Sequence, residues 1–477
     1  MVKIVLFLLA FVFILLGYAS IWCVLLIGDV SFEKIVFHMH MPLKQANIEW
    51  VKGWYIPLIC CIITCLYIYY FPKNKITTFF KSNIKCMNKK ISRIVFFCVC
   101  FLIFDIWYIN KHFYVWDFIS QQLKKSSFIE KHYVDPKTVQ LVFPEQKRNL
   151  ILIMVESLES SYQDKLNGGL FEQNFIPELT HLAQKNISFS HSEKIEGALV
   201  LPETGWTIAG TVAQTAGLPL KMYSDNNEYE IGNQMGKYRY FLPGAMTLGD
   251  ILWTNGYKNY FILGTTATFA GKSDYLKQHG NYTIIDQDVI NGINNTKGIV
   301  YDKQLFTVAR EQILSISKQS PFSVLIQTVN THFAHKEDFY AVSQEVSSFV
   351  EWIQKQSFAK NTLVVVVGDH CNMHQNDFKN LENDNFRYMG NIKRKVYNAF
   401  INSVNSPSKM KNRHFSTMDM FPTILSGMGV QIEGNRLGLG TNLFSDTKTL
   451  LEEYDVEYVF SELKQKSDFY NKHLLYH

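Results

Sequence analysis

Residues 362–370 read Thr-Leu-Val-Val-Val-Val-Gly-Asp-His, an apolar run that stops on Gly368, Asp369 and His370. Four valines without alternation describe a strand buried on both faces, and therefore a parallel sheet between helices rather than a one-sided antiparallel one. A second run, Leu150-Ile-Leu-Ile-Met-Val-Glu156, also ends on an acid. Two further β-rich runs, 259–263 and 322–328, are separated from these by helical stretches. The expected fold class is α/β, a parallel-rich sheet sandwiched by helices over residues 148–445, with 446–477 as the C-terminal tail of the same domain.

The strand ends carry the first chemical expectation. In doubly wound sheets, ligands gather at the carboxyl ends of strands, so Glu156, Asp369 and His370 are predicted to converge although they lie far apart in sequence. Two carboxylates and an imidazole suit one divalent metal ion, Mn2+ or Zn2+, with Mg2+ as the third choice. The plainer use of an acid at a strand end is as a cap. The third element is 205–210, Gly-Trp-Thr-Ile-Ala-Gly, with a helix expected over 211–216. A threonine there serves most simply as an N-cap. The same placement aims free N–H groups and the positive end of the helix dipole at a phosphate. Thr207 is a poor nucleophile until its hydroxyl is activated, which coordination to a metal held by the other three would do.

The remainder of the chain shows where this chemistry sits. The 477 residues hold 47 Lys and Arg against 42 Asp and Glu, and 47% are hydrophobic. This excludes a disordered chain, and a net charge of only +5 excludes a dedicated nucleic-acid binder. The basic surplus belongs to residues 1–112, with 12 Lys and Arg against 4 Asp and Glu. That segment contains three apolar runs, 4–27, 54–71 and 94–109, each near the ~20 residues a helix needs to cross hydrocarbon; Asp105 is the one acid inside them. The first run lacks a small-residue cleavage site and is expected to be retained. A transmembrane anchor of three helices is therefore expected over 1–112, followed by a juxtamembrane connector at 113–147.

Between the second and third runs stand Lys73, Lys75, Lys81, Lys85, Lys89, Lys90 and Arg93 with no acid, whereas the first loop balances Lys34, Lys44 and Lys52 with Asp29, Glu33 and Glu49. The positive-inside rule puts the Lys-rich loop in the cytoplasm and everything after the third run outside. Only Cys371 of the eight cysteines lies in the C-terminal part, which leaves no intradomain disulfide and no CxxC metal cluster there.

Over about residues 146–445 the chain resembles the alkaline-phosphatase superfamily. Within it, the likeness is to the sulfatase-like lipid-headgroup transferases: phosphoglycerol transferases, lipoteichoic-acid synthases and lipopolysaccharide phosphoethanolamine transferases. The blocks that carry the resemblance, in family order, are 149–159 (NLILIMVESLE), 205–220 (GWTIAGTVAQTAGLPL), 269–272 with His279 and Gly280, Thr331-His332, Gly368-Asp-His370, and 415–419 with Pro422 and Thr423. The resemblance implies an alkaline-phosphatase-like fold with Glu156, Thr207, Asp369 and His370 as metal ligands and Thr207 as nucleophile. It also implies His332 and Lys272 as substrate-binding groups, and ranks His335, Glu159 and Arg413 as supporting or structural. No C/S-x-P-x-R motif occurs, so sulfate-ester hydrolysis through formylglycine is disfavoured.

The implied activity is transfer of a phosphoglycerol or phosphoethanolamine head group from a membrane phospholipid donor to an envelope glycan acceptor through a phospho-threonine. The implied location is the bacterial inner membrane, multi-pass, with the catalytic domain on the periplasmic side and the lipid bilayer as a partner. Two alternatives stay open: an exported, membrane-anchored phosphodiesterase or phosphatase, and a non-catalytic envelope binding protein on the same fold.

Overall fold

A computed structural model describes residues 2–27, 32, 53, 55–70, 89–221, 241–318, 321–378 and 394–475. It divides the chain into two compact units, Met1–Ser120 and Gln121–His477. The segment 113–147, expected as a connector, has residues on both sides of that division.

The first unit contains helices α1 (Val2–Ile27), α2 (Tyr55–Tyr70) and α3 (Lys89–Phe113). Helix α1 packs on both others around Ile14, Cys61 and Cys65, and the Tyr18 hydroxyl meets Thr64 Oγ1 at 2.8 Å. Among the described residues only Phe7–Leu25 and Val95–Phe113 are long and apolar enough to cross a membrane. The first and third expected spans coincide with these two helices, and the second with the shorter apolar helix α2. Helix α2 falls within the expected run 54–71, and the residues flanking it, 54 and 71–88, lie outside the described residues. The two loops that set the expected orientation, including Lys73, Lys75, Lys81 and Lys85, lie outside the described residues.

The second unit is built on six strands: β1 (Asn149–Val155), β2 (Lys258–Leu263), β3 (Thr283–Ile285), β4 (Phe322–Gln327), β5 (Thr362–Gly368) and β6 (Asn398–Ile401). Their spatial order is 3-2-4-1-5-6. The first five are parallel, while β6 runs antiparallel beside β5, with Val365 opposite Phe400. Strands β1 and β5 are buried along their whole length, as unalternating apolar runs require.

One face, carrying Ile151, Ile153, Val324, Ile326, Val364 and Val366, packs against helices α4 (Pro177–Lys185), α6 (Asp302–Ile316) and α7 (Phe339–Gln354). On the other face, α8 (Met420–Gly427) reaches Leu363 through Gly427 and packs with α5 (Thr207–Ala216). The centre of the sheet therefore presents the carboxyl ends of β1, β4 and β5 side by side.

Candidate active site

Glu156 follows β1 directly, and Asp369 and His370 follow β5. The parallel register of Val155 with Gly368 brings these acids together. Glu156, Asp369 and His370 are all buried, and each offers one ligand atom within 4.8 Å of the others. His370 Nε2 lies 3.1 Å from Glu156 Oε1 and 3.6 Å from Asp369 Oδ2. Thr207, the first residue of α5 and half-buried, places its hydroxyl 3.2 Å from Glu156 Oε2 and 3.3 Å from His370 Nε2. The structure thus gathers all four residues of the expected metal and nucleophile set.

The local backbone explains the convergence. Ser157 sits at φ 56°, a left-handed turn that costs a non-glycine residue of order 1 kcal/mol. The turn points its N–H at Asp369 Oδ1 (2.8 Å), while its hydroxyl donates to Glu156 Oε1 (3.0 Å). Asp369 Oδ1 also accepts from the His370 N–H at 2.7 Å, and Oδ2 accepts from Gln327 Nε2 at 3.1 Å. The Glu156 N–H donates to Thr328 Oγ1, and the Thr331 hydroxyl donates to the Glu156 carbonyl.

Helix α5 is held against the same turn. A Cβ on Gly210 would fall 2.3 Å from the Asp369 carbonyl oxygen, so only glycine permits this approach. Gln214 Nε2 then donates to the Gly368 carbonyl at 2.9 Å.

The donor set fits a divalent cation. His370 Nδ1 donates to the Cys371 carbonyl at 2.8 Å, which leaves Nε2 as the lone pair facing the carboxylates. Burial, and then the charge of Glu156, push the Asp369 carboxyl up; His370 and the N–H groups at its oxygens pull the other way. Burial also works to raise Glu156, but His370 foremost, with His332 and the Ser157 hydroxyl, holds it down. Two buried carboxylates this close need positive charge between them.

Lys272 is 4% exposed rather than solvated. Its Nζ lies 5.6 Å from the centre of the Phe269 ring and 3.5 Å from Thr265 Oγ1. Burial lowers its pKa to about 8 against the pull of Glu156 and Asp369. His332 is exposed on the loop after β4, within electrostatic reach of Glu156, His370 and Lys272.

The supporting residues split. Arg413 bonds Glu452 (Nε to Oε1, 2.7 Å) and three backbone carbonyls between 443 and 447, outside the acid cluster. Glu159 is wholly buried and binds Arg394, whose Nε reaches Oε2 at 2.9 Å, while its other oxygen accepts the Asn372 N–H at 2.8 Å. Arg394 also stacks over Phe378, 4.0 Å from the ring centre. This pair fixes the loop after His370.

Sequence reasoning missed Arg394 and Gln327. Gln327 had a signal: it is the polar last residue of an apolar strand, the same pattern that singled out Glu156. Arg394 had none, because its partner lies 235 positions away.

Residues 148–346 match the sulfatase family model. Among individual proteins, the chain is similar to phosphoglycerol transferase I of Escherichia coli strain 55989, with 28% identity over 365 residues, 70% of this chain and 43% of that protein. It is also similar to phosphoglycerol transferase I of Escherichia fergusonii, with 31% identity over 284 residues, 52% of this chain and 34% of that one. The chain thus matches less than half the length of these curated relatives. Among solved structures, it resembles the lipoteichoic acid synthase LtaP of Listeria monocytogenes, with 14% identity, TM-score 0.48, and coverage of 67% of this chain and 82% of that one.

Proposed function

We propose that this protein transfers a phosphoglycerol or phosphoethanolamine head group from a membrane phospholipid to a bacterial envelope glycan, a periplasmic glucan or lipopolysaccharide core, through a phospho-threonine at Thr207. The observation that carries the reading is the convergence of the Thr207 hydroxyl, at a helix N-terminus, with Glu156, Asp369 and His370. The likeness to phosphoglycerol transferase I across the catalytic segment supports it. The apolar helices Phe7–Leu25 and Val95–Phe113 suit an anchor in the inner membrane, with the catalytic unit on its periplasmic side.

Glu156, Asp369, His370 and Thr207 would hold one divalent ion, Mn2+, Zn2+ or Mg2+. When bound, such an ion lowers the pKa of a coordinated hydroxyl and offsets charge on phosphoryl oxygens. The chain's own groups do the rest. Helix α5 presents its N-terminal N–H groups and dipole to the phosphate, and Lys272 supplies a buried positive charge on the same side.

The Thr207 oxygen forms a bond to phosphorus as the bond from phosphorus to the diacylglycerol oxygen breaks. The threonine proton leaves and the departing oxygen gains one, an exchange this reading assigns to His332. In the second half, an acceptor hydroxyl loses its proton and attacks the same phosphorus, and Thr207 recovers a proton as it leaves.

Purified full-length protein with head-group-labelled phospholipid vesicles and a glucan acceptor tests this. The parent should release diacylglycerol and, after acid quench, carry the head group on the peptide containing Thr207. Thr207→Ala should lower release by roughly 10³-fold or more with an unchanged circular dichroism spectrum. Release from Thr207→Ala at the parent's rate would sink the covalent route. Mass spectrometry of the acceptor separates transfer from hydrolysis.

A further inference from the structure

Outside the site just described, the loops after β4 and β5 bring His335, His374 and Asp377 together. Their potential ligand atoms all lie within 4.8 Å of one another. His335 Nδ1 stands 3.8 Å from Asp377 Oδ1, and His374 Nδ1 stands 3.8 Å from Asp377 Oδ2. The two imidazoles thus address opposite oxygens of one carboxylate, with ring centres 4.4 Å apart and planes at 77°.

We infer that His335, His374 and Asp377 form a second divalent-cation site, suited to Zn2+, which clamps the loop bearing His332 to the loop bearing His370.

The distances favour a shared ion over direct pairing. At 3.8 Å neither histidine hydrogen-bonds the carboxylate. Tetrahedral ligands of zinc, at bonds of about 2.0–2.1 Å, stand about 3.4 Å apart, so this set, with its ligand atoms within 4.8 Å of one another, closes on an ion by side-chain movements of about 1 Å. Two imidazoles and a carboxylate are borderline donors that suit zinc, and three protein ligands leave one position for water.

The surroundings are built for it. Asn372, 1% exposed, donates from Nδ2 to the Ala334 carbonyl at 2.7 Å and accepts the His374 N–H at Oδ1, 2.9 Å away. One buried amide therefore fixes the backbone beside both histidines. The Asp377 carboxylate is held by the Lys336 N–H at 2.9 Å, the outer-shell support that metal-binding carboxylates commonly have. His335 is three residues from His332 and His374 four from His370, so an ion here shortens the free span of both catalytic loops.

The test is metal stoichiometry of the full-length protein in detergent, dialysed against Zn2+ and then metal-free buffer. The parent should retain two equivalents, Asp369→Asn one, His335→Ala/His374→Ala one, and the combined variant none. Co2+ added to Asp369→Asn should give a visible absorption band that the further change His374→Ala removes. Asp377→Asn, which keeps an acceptor for the Lys336 N–H, serves if the double histidine variant does not fold, and should weaken the second equivalent by at least about tenfold. A parent that binds one zinc, or a parent and histidine variants that bind the same number, overturns the second site. Either result leaves the Thr207 chemistry untouched, since that is read from head-group release.

Discussion

Asp105 and Asp369 are both buried acids, one in each unit, and their surroundings are opposite. Asp105 on α3 is 2% exposed, and neither of its oxygens has a hydrogen-bond partner among the described residues. It presses on Gly17 of α1, where a Cβ would come within 2.6 Å of Oδ1. Asp369 is completely buried, yet it accepts from two backbone N–H groups and the Gln327 amide. Burial alone does not mark a working acid. The donors arranged to hold its charge do, because an unsatisfied buried carboxylate costs several kcal/mol while a satisfied one is preorganised for a cation.

The largest expected difference between them is chemical. Asp369→Asn keeps the shape and removes the charge, so head-group release should fall roughly 10³-fold together with loss of the catalytic metal equivalent, measured by release assay and elemental analysis. An Asp369→Asn protein with parental metal content would erase the contrast.

Gln327→Leu tests the support instead of the ligand. Removing one donor to Oδ2 should weaken binding of the catalytic ion by about 10–100-fold, read by competition with a chromophoric chelator.

Lys272→Met should raise the KM for phospholipid by about tenfold with a smaller change in kcat. It should also reshape the pH profile. The lysine, with its pKa lowered to about 8, is cationic below that pH and neutral above it, so its pull on the phosphate is full below pH 8 and lost as pH rises through it. The parent should show that alkaline limb and the methionine variant should lack it. The linkage runs the other way for stability. Between about 8 and the unfolded value near 10.4, the unfolded chain holds the extra proton, so this residue's penalty on folding fades as pH rises.

Asp105→Asn should do least, leaving release within about twofold and stability within ~1 kcal/mol in a detergent melt, since it breaks no bond. A loss of activity comparable to that of Asp369→Asn would show that the first unit's acid also works.

How much of this was legible follows the same line. Runs such as 150–155 and 364–367 announce buried parallel strands because burial on both faces leaves no alternation, and acids at their ends follow from that topology. The antiparallel β6 was not legible: four residues, Asn-Ala-Phe-Ile, give too short a pattern to separate from a loop. The second apolar run reads as a span by composition, and helix α2 is described within it over Tyr55–Tyr70. Lys272 looks like any surface lysine until the fold buries it. His335 and His374 carry no pattern in sequence because their proximity depends on the spacing of β4 and β5.

Gly210 sets the distance between Thr207 and the buried acids by lacking an atom. A methyl group there would act as a wedge between α5 and the turn after β5, lifting the threonine away from the carboxylates without altering any group that handles substrate. The approach of Thr207 to the acids therefore rests on one missing carbon, and variants of this helix are constrained first by clearance and only then by chemistry.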